Sequence, residues 1–225
     1  MEKFSKAVAA KLADELEYDN DKREVMAYGA FALTQMFISV GLVMIFGFMF
    51  HVVIEALIIS FAASILRKYS GGVHASSPNT CTFLGIVVCV GFALLIKLVL
   101  APMTDIKEFL IIGVLVFAWS LYTVNKLAPV DTPNKPIRSE AKRNRMRKGS
   151  FAVIGIYSLI ACANLFVYLY FDWYAFFVYS ICLTFGVFWQ VFTLTRIGHG
   201  VIERLDLILH IFNIDKEESY HEKND

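Results

Sequence analysis

The apolar residues of this chain come in blocks about 20 residues long, and this pattern most constrains its fold. A helix needs about 20 consecutive apolar residues to cross the hydrocarbon core of a bilayer. Hydrophobic residues make up 57% of the 225-residue chain. Its mean hydropathy is +0.59, which is higher than expected of a soluble domain. The blocks therefore predict an all-α, polytopic membrane protein with no separate soluble domain.

The blocks predict about six transmembrane helices within a membrane domain that covers residues 25–195. The predicted segments are 25–50, 51–66, 82–101, 106–125, 151–171 and 174–195. Residues 1–24 alternate apolar and charged side chains at helical spacing, which predicts an amphipathic helix on the membrane surface or an ordinary solvated helix. The polar tail, 196–225, holds a second predicted surface helix at 201–214.

Positive charge is concentrated in the loop 126–150, which contains eight Lys or Arg residues. Such a run occurs in proteins that bind nucleic acid, but between membrane segments it is typical of a cytoplasmic loop beside anionic lipid. We therefore expect a lipid bilayer and no nucleic acid as partner. Arg67, Lys68, Arg196 and Arg204 would fall on the same face as this loop. The positive-inside rule then predicts cytoplasmic termini and a cytoplasmic loop at 67–81.

A histidine and a cysteine lie seven residues apart in the polar loop 67–81, which we expect to be catalytic. Ser77 and Pro78 predict an N-cap and a first helical residue, which would place Cys81 in the first turn of the third segment. The imidazole of His74 can accept the thiol proton, and a helix N-terminus favours an anion. Backbone N–H groups there would also suit an oxyanion hole. The pattern predicts a membrane-embedded cysteine peptidase or acyl transferase, with Cys81 as nucleophile and His74 as general base.

Residues before His74 are candidates for a supporting role. Gly71 and Gly72 permit a tight turn that would swing His74 toward Cys81 or admit a peptide to the main chain, although a plain interhelical turn needs the same residues. Arg67 has three candidate roles, which are to bind an acidic group, to orient the loop or to pair with lipid phosphate; a simple interfacial anchor is the fourth interpretation.

The sequence leaves open which group would orient His74. The candidates are Ser70, Glu55 and Asp131. A carboxylate within an apolar helix is costly and often functional, but Glu55 is expected near the far side of the membrane.

The remaining cysteines predict neither a metal site nor a disulfide framework. Cys89, Cys162 and Cys182 fall in apolar segments, where cysteine behaves as a small hydrophobic residue, and the chain has no CxxC pair. We expect no cofactor. Three amides within the apolar segments are expected to form interhelical hydrogen bonds: Gln35, Asn164 and Gln190.

Together these motifs resemble the accessory gene regulator B (AgrB) family, bacterial membrane endopeptidases of quorum sensing. The signature is Arg67-x-x-x-Gly71-Gly72-x-His74-Ala75, followed by Cys81. Weaker support comes from the loop Ala128-Pro129-x-Asp131-Thr132-x-Asn134-Lys135-Pro136-Ile137. The resemblance covers most of the chain, including its length and number of crossings.

This resemblance implies a substrate and a reaction. AgrB proteins cut a small membrane-bound propeptide of the AgrD type. By that resemblance, Cys81 attacks the scissile carbonyl, His74 accepts its proton, and the acidic C-terminal tail of the propeptide leaves. A substrate cysteine then attacks the acyl-thioester on Cys81 and closes a thiolactone ring, provided that the site excludes water. The resemblance is also compatible with a homodimer.

Charge complementarity suggests how the acidic tail would be held. Lys135, Arg138 and Lys142 lie in the basic loop and are candidate substrate-binding residues. Two other functions stay open at this point, a peptide exporter and a non-catalytic membrane scaffold. Cys81 discriminates between them, because only the enzyme needs its thiol.

Overall fold

The computed structural model describes residues 20–73, 77–130 and 139–221, and every regular element in these ranges is a helix. The helices are α1 (Asn20–Met49), α2 (Val53–Ser70), α3 (Pro78–Leu95), α4 (Ile106–Leu127), α5 (Glu140–Phe171), α6 (Tyr174–Phe192) and α7 (Arg196–His221). The helical path of α3 continues through a π-helical turn, Ile96–Leu100, and a short α-turn, Ala101–Met103. The predicted all-α fold is confirmed. Of the predicted surface segment 1–24, residues 1–19 lie outside the described residues.

Five of the described helices are long and apolar enough to cross a membrane. Their spans are Gly29–Met49, Asn79–Met103, Ile106–Leu127, Glu140–Phe171 and Tyr174–Phe192. The second predicted crossing, α2, has 18 residues and a length of about 27 Å. Its charged residues lie at its ends, with Glu55 in the first turn and Arg67 and Lys68 in the last. Helix α2 is thus nearly as long as the bilayer core is thick, with an uncharged middle.

Several helices extend into segments that we had predicted as loops. Helix α2 continues to Ser70, because the first residues that disfavour a helix are Gly71 and Gly72. Helix α5 begins at Glu140, so much of the predicted basic loop 126–150 is helical. Its sequence there is rich in good helix formers and has an acidic residue in the first turn, both of which stabilise a helix start.

Helices α2 and α6 form the centre of the bundle. In α6, 56% of the apolar span is buried, against 12–22% in the other four spans, so α6 is enclosed while the others expose apolar side chains. The two helices approach closely at Gly186, where an added Cβ would lie 2.7 Å from the Cβ of Ala62 and 3.0 Å from the carbonyl oxygen of Ile59. Small residues at a helix contact are the usual means of tight packing in lipid.

The basic segments converge at one end of the bundle. Arg147 of α5 donates from Nε to the carbonyl of Ala128, which follows α4, at 2.9 Å. The N–H of Val130, in the same connection, donates to the carbonyl of Ser70 at the end of α2 at 3.0 Å. The ends of α2 and α4 and the start of α5 therefore meet, as the charge pattern predicted.

An ion pair closes the opposite end. Lys97, in the π-helical turn, lies 2.8 Å from a carboxylate oxygen of Glu55, and its Nζ also donates to the carbonyl of His51 at 2.7 Å. The side chain of Glu55 is 9% exposed, so this contact neutralises a nearly buried charge. Because Glu55 lies at the start of α2 and Ser70 at its end, this carboxylate is far from the loop before Cys81.

The α2–α6 contact gives a test of the packing. The substitution Gly186→Ala should lower stability by roughly 1–3 kcal/mol, because the new methyl group meets Ala62 and a backbone carbonyl with no space to accept it. The measurement is thermal unfolding of the purified protein in detergent. Removing the opposing methyl group with Ala62→Gly in the same protein should restore part of the loss.

A matched control is Gly91→Ala in α3, where an added Cβ meets nothing within 4 Å. This variant should unfold at or slightly above the temperature of the native protein, since alanine favours a helix over glycine by up to about 1 kcal/mol. Equal destabilisation by both substitutions would contradict the tight α2–α6 contact.

Candidate active site

Cys81 lies in the first turn of α3, as predicted. Ser77 is the N-cap: its Oγ accepts a hydrogen bond from the N–H of Thr80 at 3.1 Å, and Pro78 occupies the first helical position. The N–H of Cys81 donates to the carbonyl of Ser77 at 3.0 Å. The thiol is free and half-buried. The helix start thus holds the sulfur at a fixed place with its partial positive charge nearby.

The Gly71–Gly72 turn packs against the connection after α4. Gly71 has φ +71° and Gly72 has φ +139°, both in the region that favours glycine. An added Cβ on Gly71 would overlap the carbonyl oxygen of Val130. Both the backbone angle and the close approach therefore require glycine at position 71, so the turn has a packing role as well as a directing one.

The side chain of Arg67 reaches from the last turn of α2 to the residue that follows the Gly71–Gly72 turn. Its Nη2 donates to the carbonyl of Val73, the residue directly before His74. Its Nε is buried and has no hydrogen-bond partner in the structure. Arg67 also lies close enough to Cys81 for their charges to interact. Among its predicted roles, these contacts favour orientation of the loop, and they leave one N–H group of the guanidinium unused beside the thiol.

Ser70 and Gln190 tie the turn to α6. The side-chain nitrogen of Gln190 donates to Ser70 Oγ at 3.1 Å and to the carbonyl of Gly71 at 2.8 Å. Ser70 and Gln190 are both buried. Ser70 therefore binds α6 and its own turn. The sequence predicted an interhelical hydrogen bond for Gln190 but had no means of naming its partner 119 or 120 positions away.

Arg67 and Cys81 line one cavity of about 410 Å³. Helices α1, α2, α3, α6 and α7 all contribute to its walls, which are mainly apolar with a few hydroxyl and amide groups. On its α1 and α3 side, Thr82 is bonded by Gln35 and lies 3.1 Å from the hydroxyl of Ser39. The cavity is large enough to hold several side chains of an extended peptide next to the thiol.

The first turns of α7 form part of this cavity, which the sequence had not indicated. Residues 201–214 were predicted as a surface helix, yet Ile202 and Leu205 line the same cavity as Cys81. A sharp turn after α6 brings them there: the N–H of Gly198 donates to Thr195 Oγ1 at 3.1 Å, and an added Cβ on Gly198 would overlap the carbonyl of Phe192. The apolar spacing of α7 was visible, but its packing partner was not.

Among the described residues, the structure brings Arg67, Ser70, Gly71, Gly72 and Cys81 to one end of the bundle. His74 lies outside the described residues, as do Asp131, Lys135 and Arg138. Lys142 is exposed near the start of α5.

Glu55, a candidate to orient His74, is instead paired with Lys97 at the opposite end. Nothing in its surroundings connects it to Cys81. The sequence had placed Glu55 near the far side of the membrane from His74, and the structure agrees with that placement.

Chemically, the arrangement suits nucleophilic catalysis by a thiol. A free, half-buried thiol at a helix N-terminus shares a largely apolar cavity with an arginine, so a bound peptide could reach the sulfur. The N–H groups of Thr80 and Cys81 are already used by Ser77, and Pro78 has none. In the first turn, the N–H group of Asn79 therefore stays a candidate for the oxyanion hole that we predicted, and Nε of Arg67 is a second donor without a hydrogen-bond partner.

The turn gives a second test. Gly71→Ala should destabilise the protein, because the new methyl group would displace Val130 and open the end of the bundle. Alkylation of Cys81 should become slower, or Cys81 should lose its preference over the other cysteines as the site of labelling. Thermal unfolding and the rate of maleimide labelling, site by site, would measure both effects. Gly155→Ala in α5, where nothing lies within 4 Å, is the control and should behave as the native protein. A Gly71→Ala protein that resembles this control would show that the turn tolerates a side chain.

Comparison of the sequence with known proteins identifies the family of this chain. The family model described as "Accessory gene regulator B" (AgrB) matches residues 5–194. Two proteins of Clostridium perfringens are similar over 92% of this chain and 96% of their own length. They are "Putative AgrB-like protein 2" of strain 13 / Type A, 42% identical over 208 residues, and "Putative AgrB-like protein" of strain SM101 / Type A, 41% identical over 208 residues. No solved structure matches significantly. The chain, with its membrane-length helices and the cavity at Cys81, belongs to the AgrB family.

Proposed function

We propose that this protein is a membrane-embedded cysteine endopeptidase that removes the C-terminal tail of an AgrD-type propeptide and promotes closure of a thiolactone or lactone ring. Family membership supports a role in quorum sensing and a propeptide partner. The observation that carries the enzymatic proposal is the placement of Cys81: a free thiol in the first turn of α3 that lines a largely apolar cavity shared with Arg67.

In the first step, His74 accepts the proton of Cys81 and the sulfur attacks the scissile carbonyl carbon. The tetrahedral intermediate then collapses, its C–N bond breaks, and the imidazolium returns the proton to the departing amine of the acidic tail. The remainder of the propeptide is held as an acyl-thioester on Cys81. Two facts support this assignment: the sequence spacing of His74 and Cys81, and the anchoring of Val73 by Arg67 directly before the histidine.

Arg67 is the candidate to stabilise the oxyanion. Arg67 lines the same cavity as Cys81, and its buried Nε has no hydrogen-bond partner, whereas the N–H groups of Thr80 and Cys81 are bonded to Ser77. A preorganised donor in a site poor in water is worth several kcal/mol of transition-state stabilisation. The guanidinium would thus hold the loop through Nη2 and the reacting carbonyl through Nε.

In the second step, a thiol of the bound propeptide attacks the acyl-thioester, which regenerates Cys81 and closes the ring. Thioester exchange is near neutral in energy, so the ring forms only if water is kept from the acyl group. The apolar walls of the cavity, with Ile202 and Leu205 of α7 among them, support such exclusion. A substrate hydroxyl in place of the thiol would give a lactone by the same route.

The topology follows from the charge pattern. We propose that α2 is the sixth crossing and that the end carrying Cys81, both termini and the basic segments face the cytoplasm of a bacterial cell. The ends of α2 and α4 and the start of α5, which carry many of these charges, do meet at the Cys81 end. The apolar outer faces of the helices are also compatible with a homodimer.

The alternatives have less support. From the Cys81 end, the described lining of the cavity reaches as far as Val43 and Cys89. Beyond them lies the buried apolar cluster that includes Ala56, Ile59 and Ala93. An exporter needs a path to the other end, and a scaffold has no use for a thiol beside an arginine. No observation specifically favours either function.

The decisive experiment compares cleavage of an AgrD-type propeptide encoded beside this gene, in liposomes, by native protein and its variants. Cys81→Ala should abolish cleavage, and His74→Ala should lower kcat by about 100-fold or more, since each removes a group that acts on the reacting bond. Cys162→Ala is the control: this cysteine is exposed on the outer face of α5, and its loss should leave the rate unchanged. Cleavage that persists in inserted Cys81→Ala protein would refute the peptidase proposal.

A separate test addresses the basic segment. Replacing Lys135, Arg138 and Lys142 together by glutamine should raise KM several-fold with little change in kcat, because these charges would attract the acidic tail without touching the scissile bond. The effect should shrink as salt concentration rises. Lys107→Gln, an exposed lysine at the start of α4, is the matched control. A KM that is the same in all three proteins would remove the basic segment from substrate binding.

A further inference from the structure

The NH₂ group of Gln190 is fully used by the turn between α2 and α3. It lies on α6, is 1% exposed, and donates to both Ser70 Oγ and the carbonyl of Gly71. One NH₂ group has two hydrogens, so these two bonds exhaust its donors.

The backbone on the far side of the turn packs against the same part of α6. An added Cβ on Gly72 would lie 3.3 Å from Nε2 of Gln190 and 3.2 Å from Oγ1 of Thr193. The hydroxyl of Thr193 in turn donates to the carbonyl of Gln190 at 2.7 Å. The turn is thus enclosed between α6 on one side and Val130 on the other, with no slack in position.

Gln190 also lines the cavity that Cys81 and Arg67 share. Two side chains hold the segment 70–73: Gln190 at its start through Ser70 and Gly71, and Arg67 at its end through Val73. The next residue in the chain is His74. Two side chains therefore anchor the two ends of the segment that directly precedes His74.

We propose that Gln190 is a positioning residue of the active site: it holds the Ser70–Gly71 turn against α6, so that His74 is presented to Cys81. The role rests on the proposed function, because His74 matters only if it assists the thiol. It assigns to α6, distant in sequence from both catalytic residues, a direct part in the geometry of the reaction. A misplacement of about 1 Å at a reacting group can cost on the order of 100-fold in rate.

The test is a double-mutant cycle on the thiol alone, which needs no propeptide. The rate of Cys81 alkylation by N-ethylmaleimide, followed by mass spectrometry, is measured in native protein, Gln190→Met, His74→Ala and the double variant. Methionine keeps the length of glutamine but donates no hydrogen bond. We expect Gln190→Met to slow alkylation roughly 10-fold and to have no further effect when His74 is already alanine, because residues that act as a unit are not additive.

Ser180→Ala is the matched control on the same helix. Ser180 is buried and donates to the carbonyls of Phe176 and Ala161, so it tests an interhelical contact away from the turn. Ser180→Ala should lower the unfolding temperature about as much as Gln190→Met does, but it should leave the rate of Cys81 alkylation unchanged. If Gln190→Met fails to fold, Ser70→Ala removes one of the two acceptors and should give a smaller effect of the same kind.

The proposal would be overturned if Gln190→Met were alkylated at Cys81 at the native rate. It would also be overturned if Gln190→Met slowed alkylation by the same factor in the presence of His74 and in the His74→Ala background. The same loss in Ser180→Ala would also overturn it, since general loosening would then explain the result. Failure of the peptidase proposal is recognised separately, by propeptide cleavage that survives Cys81→Ala. In propeptide assays, Gln190→Met should lower kcat and leave KM near its native value.

Discussion

The close contact between α2 and α6 is the constraint on which the rest of the structure depends. Gly186 allows the two backbones to approach until a methyl group would not fit between them. Lipid offers no hydrophobic driving force between helices, so such packing, with a few buried hydrogen bonds, has to hold the bundle. The contact also fixes the register at which Gln190 meets the end of α2, and hence the position of the turn at Ser70 and Gly71.

The two ends of the bundle use polar groups for different purposes. At one end, Glu55 and Lys97 neutralise each other beside a π-helical turn, and the buried core cluster follows directly. At the other, Arg67 keeps one N–H group without a partner beside a thiol and a cavity. A buried donor without a partner costs free energy, and in the proposed reaction a substrate group would supply that partner.

The backbone N–H groups at the start of α3 can serve either the helix cap or a bound oxyanion. Ser77 uses the N–H of Thr80, and its carbonyl uses that of Cys81, so the start of α3 is well formed but has few donors to spare. The cap thus secures the position of the sulfur. Arg67 of α2 lines the same cavity, and its side chain is the one to which we assign stabilisation of the oxyanion in the proposed reaction.

Hydropathy and local signals in the sequence determined the all-α membrane fold and the start of α3 at Ser77 and Pro78, because each depends on residues that are near neighbours in the chain. The meeting of basic segments at one end was predicted by a different argument, the preference of positive charge for one side of a membrane. The ends of α2 and α5 were predicted less well, since charge marks the membrane boundary and not the end of a helix. Only the tertiary structure decided that Gln190 binds the turn at Ser70, that Glu55 pairs with Lys97, and that α7 lines the cavity at Cys81. These contacts join residues far apart in sequence, and their partners are selected by how the helices pack, which no local pattern encodes.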